Sequence, residues 1–172
     1  VNAGELQLQD TEGGTSYFPP KQFQELKASE FVQKDFNFFT PTSLVHTFLY
    51  CNTRSPKLQD KTVRQAIAYA INVEEMIETA FNGLGVPSTG PVHPTFSYYN
   101  KDIQPIAYEP ETARSLLEEA GWTDSNNNGI VDKVIDGQLT ELSLQYNYTA
   151  GRDVAQNIAL LLKESAKRAG IE

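Results

Sequence analysis

Between residues 83 and 107, Gly83, Gly85, Pro87, Gly90, Pro91, Pro94 and Pro105 follow one another too closely for a helix or strand to run through. Phe96, Tyr98 and Tyr99 add aromatic surface to the same stretch. The chain must therefore pack two periodic halves around a long irregular connection. In a compact domain such a connection is functional or covered by a partner.

The flanking segments show regular patterns. Pro19-Pro20 opens a short helical pattern with Phe23 and Leu26 on one side. Residues 31–39 and 44–52 are rich in Phe, Val, Thr, Tyr and Leu. They read as two strands about a Thr40-Pro41-Thr42-Ser43 turn. Asp60 is an N-cap candidate for a helix that buries Val63, Ala66, Ile67, Ala70 and Ile71. Asn72 with Glu75 resembles a capping box before Met76, Ile77, Ala80 and Phe81. Glu109-Pro110-Glu111 starts another helix, with Ala113, Leu116, Leu117 and Ala120 inward and Gly121 as its stop. Residues 124–137 read as a polar loop. Leu142, Leu144, Tyr146 and Tyr148 alternate as in a half-buried strand. Residues 153–169 carry the strongest helical pattern, with Val154, Ile158, Leu161, Leu162 and Ala169 inward. The class is α/β or α+β, a mixed sheet with flanking helices and no internal repeat.

Charge and composition remove several functions. Asp and Glu outnumber Lys and Arg by 22 to 14, which disfavours binding to phosphate backbones, so no nucleic-acid partner is expected. The longest apolar run, Ala66 to Ile71, is far too short to span a bilayer. One cysteine, Cys51, excludes an internal disulfide and a cysteine zinc cluster. Cys51 would need a histidine partner to act as a nucleophile. The chain has only His46 and His93, and His46 lies five residues back, on the opposite face of an extended strand. Gly83-Leu84-Gly85 lacks the third glycine of a dinucleotide fingerprint, and Gly-Lys-Ser/Thr, HExxH and GxSxG do not occur. No enzyme is expected.

Two motifs hold candidate chemistry. Asp124-Ser125-Asn126-Asn127-Asn128-Gly129-Ile130-Val131-Asp132 follows the first part of a calcium-binding EF-hand loop. Asp124, Asn126, Asn128, the Ile130 carbonyl and Asp132 could supply five oxygens. The bidentate Glu is missing, because Ile135 stands in its place, so a calcium site here would be weak. The alternative is a turn whose Asn and Gly residues satisfy their own backbone. The second motif runs from Tyr146-Asn147-Tyr148-Thr149 through Gly151-Arg152 into Asp153, from a strand into a helix start. It could hold a carboxylate or a carbonyl, or it could simply cap the turn.

Taken together, several segments resemble one family. They are Thr47-Phe48-Leu49-Tyr50-Cys51-Asn52-Thr53, then Pro56, then Leu58 to Asn72 with Asp60, Val63-Arg64, Ala66-Ile67 and Ala70-Ile71; Gly85 to Pro94, similar to G-x-P-x-x-G-P-x-x-P; and Tyr108 to Trp122, similar to Y-D-P-x-x-A-x-x-L-L-x-x-A-G-W. Over roughly residues 40–172 the chain resembles the family 5 extracytoplasmic solute-binding proteins for peptides, dipeptides and nickel that serve ABC importers. Glu109 and Asn72 replace the usual Asp, both at cap positions.

The resemblance implies one lobe of a two-lobed periplasmic binding protein of the peptide-binding type. Residues 1–14 would be a connector remnant and 15–172 the second lobe. The ends at Val1 and Glu172 read as cuts, so the first lobe of the same chain would be a partner. The other expected partners are a peptide ligand and the membrane permease. No cofactor would be required. The location would be periplasmic or extracytoplasmic, with a lipoprotein anchor on the full-length form. Regions carried over point to His93, Pro94, Tyr98, Tyr146, Asn147 and Arg152 as ligand-binding residues. Alternatives are the same fold binding nickel or another small solute, and a calcium-dependent interaction module.

Overall fold

The computed structural model describes residues 20–38, 44, 46–151 and 153–172. The connector expected at residues 1–14, the Thr40–Ser43 turn and Arg152 lie outside the described residues. Helix α1 spans Pro20–Ala28, with Pro at its first position as the sequence suggests. Among the described residues neither strand expected over 31–39 and 44–52 is formed: 31–38 hold no strand, and 46–52, within the second of the two, take no regular secondary structure. Residues Glu30–Gln33 make a single helical turn, α2, and Gln33 N–H donates to Ser29 C=O at 3.0 Å. Phe31-Val32 is too short an apolar run to alternate, and local bonds win. The ring of Phe38 meets Phe23 edge-on at 5.9 Å.

Helix α3 (Lys61–Tyr69) starts where Asp60 accepts a hydrogen bond from Thr62 N–H at 2.8 Å. Helix α4 (Val73–Ala80) starts at the expected capping box. Asn72 Oδ1 accepts from Glu75 N–H at 3.2 Å, and Asn72 Nδ2 donates to Glu75 Oε2 at 3.0 Å. Helix α5 (Pro110–Glu119) packs on α3. Its N-cap, Glu109, donates its N–H to Tyr69 C=O at 2.9 Å. The Gly/Pro-rich stretch thus leaves the end of α4 and returns beside the end of α3.

A β-hairpin follows where the sequence suggests only a loop. Strands β1 (Asp132–Ile135) and β2 (Gln138–Glu141) pair antiparallel, with Ile135 opposite Gln138. The connection is Asp136-Gly137, with φ of 50° and 78°. Two successive positive φ values define the tight turn that matches strand twist. Lys133 Nζ donates to Ala120 C=O at 2.6 Å and so caps the end of α5.

The strand expected over 142–148 is only begun. Leu142 N–H donates to Val131 C=O at 2.8 Å. Glu172 N–H donates to Leu142 C=O at 3.1 Å and Leu144 N–H to Glu172 C=O at 2.6 Å, the two-bond pattern of a parallel pairing. Beyond Leu144 no backbone bond from this segment reaches another among the described residues.

Helix α6 (Asp153–Lys167) packs against α4. Its face of Val154, Ile158, Leu161 and Leu162 is half-buried rather than fully inward. One core joins the pieces: Val63, Ala66, Ile67 and Ala70 of the α3 region, Ala113 and Leu117 of α5, then Trp122, Val131, Leu142, Ala169 and Ile171. Full burial of side chains such as Leu117 and Leu142 contributes about 1.5–3 kcal/mol each.

Candidate functional site

The irregular stretch after α4 is built by local bonds. Asn82 and Gly83, with φ of 51° and 73°, end the helix. Ser88 Oγ donates to Gly90 C=O at 2.8 Å, and Thr89 Oγ1 meets Tyr99 OH at 2.9 Å, which draws the two ends of the loop together. Phe96 N–H donates to His93 C=O at 3.0 Å, and Tyr99 N–H to Phe96 C=O at 3.1 Å. The rings of Phe96 and Tyr98 stack at 5.2 Å, and His93 meets Phe96 edge-on at 6.3 Å.

Beside this loop lies segment 46–50, which has no regular secondary structure. His46 and Phe48, two residues apart, stack at 5.2 Å. A groove of about 640 Å³ lies between the two pieces, lined by His46, Thr47, Phe48, Ser88, Thr89, Gly90 and Pro91. The lining holds hydroxyl-bearing and aromatic side chains with Gly90 and Pro91, and no Asp, Glu, Lys or Arg.

The residues expected to bind ligand fall into two patches. His93, Pro94 and Tyr98 belong to the loop. His93 is half-buried and Pro94 and Tyr98 are exposed, Tyr98 at 70%. His93 Nδ1 accepts from Thr95 N–H at 3.2 Å, which leaves the proton of the neutral ring on Nε2. That buried Nε2 has no hydrogen-bond partner among the described residues. Tyr146 and Tyr148 form the second patch and stack at 5.9 Å, with Asn147 exposed between them. Among the described residues no ring pair or side-chain hydrogen bond joins the two patches. The 46–48 wall of the groove is not among the expected residues. The i, i+2 spacing of His46 and Phe48 is its available signal.

Four of the five calcium-candidate residues already accept hydrogen bonds within their loop. Asp124 accepts from Asn128 N–H at 3.0 Å and Gly129 N–H at 2.9 Å. Asn126 accepts from Asn128 N–H at 3.1 Å, and Asn128 from Ile130 N–H at 2.9 Å. Asp132, 2% exposed, accepts from Ser125 N–H at 3.1 Å and Ser125 Oγ–H at 2.7 Å. Asn127 and Gly129 supply positive φ, so the loop is a chain of Asx turns that holds together through its own donors.

The chain matches the family model described as bacterial extracellular solute-binding proteins, family 5 middle, over residues 2–172. The chain belongs to this family. It is 31% identical to the oligopeptide-binding protein AppA of Bacillus subtilis (strain 168) over 174 residues, all of this chain and 31% of that protein. It is 30% identical to the glutathione-binding protein GsiB of Salmonella choleraesuis (strain SC-B67) over 149 residues, 80% of this chain and 29% of that one. The structure of Bacillus subtilis AppA in complex with a nonapeptide superposes with a TM-score of 0.59 at 34% identity, over 70% of this chain and 24% of that one. The oligopeptide-binding protein of Thermus thermophilus, complexed with a pentapeptide, gives a TM-score of 0.61 at 29% identity, over 66% of this chain and 19% of that one. The fold is therefore that of part of the peptide-binding members of this solute-binding family. The chain spans about a third of the length of the curated relatives it matches.

Proposed function

We propose that this chain forms one wall of the ligand cleft in the substrate-binding receptor of an ABC importer, and that the ligand is an extended peptide. The groove between segment 46–48 and loop 88–91 carries this reading. Its aromatic and hydroxyl-bearing side chains suit peptide backbone and varied side chains. With no carboxylate, ammonium or guanidinium in its lining, it does not select a charged terminus. Both AppA and the Thermus protein are described with bound peptides. A second lobe from the rest of the chain would supply the opposite wall, closure would signal to the permease, and a lipid anchor would hold the receptor outside the membrane.

The nickel reading has less to rest on. Among the described residues there is no group of three or more His, Cys, Asp or Glu able to hold a metal ion. The test is a thermal-shift series on the full-length protein with di- to hexapeptides, Ni²⁺ and Ca²⁺. Peptides are expected to raise Tm, and His46→Ala to weaken binding several-fold by removing one ring of the stacked pair. Stabilisation by Ni²⁺ alone overturns the peptide reading.

A further inference from the structure

We propose that Tyr99 is a positioning residue of the ligand groove: its hydroxyl fixes Thr89 and, through Thr89, the 88–91 wall. The proposal rests on the reading of that groove as the ligand wall. Three observations carry it. First, Thr89 lines the groove and Tyr99 does not, yet Thr89 Oγ1 and Tyr99 OH lie 2.9 Å apart across ten residues of chain. That is hydrogen-bond distance for two hydroxyls, either of which can donate. Both side chains are half-buried, so the bond is partly sheltered from competing water. Second, Tyr99 stands on a prepared base. His93 C=O accepts from Phe96 N–H at 3.0 Å and Phe96 C=O accepts from Tyr99 N–H at 3.1 Å, so two turns follow one another and end at Tyr99. Thr95 N–H donates to His93 Nδ1 at 3.2 Å inside the first of them. Third, the bond inside the wall is of short reach. Ser88 Oγ donates to Gly90 C=O at 2.8 Å across two residues, which shapes the turn without fixing where it stands.

The consequence for a ligand is one of pre-organisation. A wall already in place spares the cost of ordering it on binding. A wall that wanders binds only during the fraction of time it stands in place, and the apparent affinity falls by that fraction. One neutral hydrogen bond shifts such an equilibrium about two- to ten-fold, which bounds the loss of affinity that Tyr99 can cause. Because His93 and Phe96 build the base under Tyr99, the aromatic patch and the groove wall are linked through this hydroxyl pair.

Tyr99→Phe keeps the ring and removes the oxygen, so a role in packing alone would leave it without effect. Two quantities are measured on the full-length protein. Without ligand, the backbone order parameters of Ser88, Thr89 and Gly90 are expected to fall from about 0.85, the rigid range, toward about 0.6. In a calorimetric titration with short peptides, Kd is expected to rise about two- to ten-fold. Thr89→Val, which keeps the shape and loses the hydroxyl, is expected to lower the same order parameters, and Thr89→Ser, which keeps the hydroxyl, to leave them in the rigid range. Tyr99→Phe and Thr89→Val together are expected to lower them no further than either alone, the non-additivity of a bonded pair. Unchanged order parameters in Tyr99→Phe overturn the proposal, and so does full additivity in the double variant. A fall in order parameters with an unchanged peptide Kd overturns it as well, since the wall then bears no ligand. If the order parameters fall as expected while no peptide binds the unaltered protein, the peptide reading alone is overturned.

Discussion

Asp132 shows how a side chain that looks like a ligand can serve as a structural acceptor. Its carboxylate is buried, holds Ser125 through two bonds and begins β1. Asp132→Ala is expected to cost about 1.5–3 kcal/mol, because hydrogen bonds to a charged group are lost and Ser125 is left without its partner. Urea denaturation measures this directly. The same bonding sets the expectation for calcium: no saturable rise in Tm below about 0.1 mM CaCl₂, since a cation would compete with donors already in place. A saturating rise below that concentration would count against the loop's being held by its own bonds. Gly170 is constrained in a different way. Its φ is 80°, and a Cβ there would lie 2.9 Å from Val131 Cγ1 and 3.5 Å from Val131 N. Gly170→Ala therefore combines left-handed strain with a close contact and is expected to destabilise by roughly 2 kcal/mol or more in the same denaturation experiment.

At the scale of elements, the helices other than the short turn α2 are readable in the sequence and the strands are not. Asp60, Asn72 and Pro110 announce helix starts by chemistry confined to a few neighbours, and each helix begins where its signal stands. Strands depend on partners distant in sequence. Phe31-Val32 looks like strand material, yet nothing among the described residues pairs with it and a helical turn forms. The hairpin escapes the sequence reading although Asp136-Gly137 is a strong turn signal. Asp132 and Lys133, charged and next to the Asn-rich loop, mask its first strand. Gly137→Ala is expected to cost about 1 kcal/mol through the loss of easy positive φ, visible as a lower urea midpoint with an unchanged slope. The candidate site is half legible for the same reason. The breaker-rich loop declares itself by composition, whereas the other wall at 46–48 acquires meaning only when the fold brings it beside Ser88–Pro91.

At the scale of the whole molecule, the core is shared by α3, α5, the hairpin base and the turn after α6, while the groove and both aromatic patches lie outside it. On the proposed reading, a cleft wall without an opposite lobe bears the ordering cost of a ligand while making only part of the contacts. The 172-residue chain alone is therefore expected to bind short peptides no more tightly than millimolar by calorimetry, and micromolar binding would show that the groove is self-sufficient. The division between core and groove also decides what light can report. Trp122 is the chain's one tryptophan, 2% exposed and packed in the core rather than in the groove lining. Its emission is expected to follow the loss of the core and to be insensitive to a ligand entering the groove. An optical readout of binding at the groove would need a dye attached beside it.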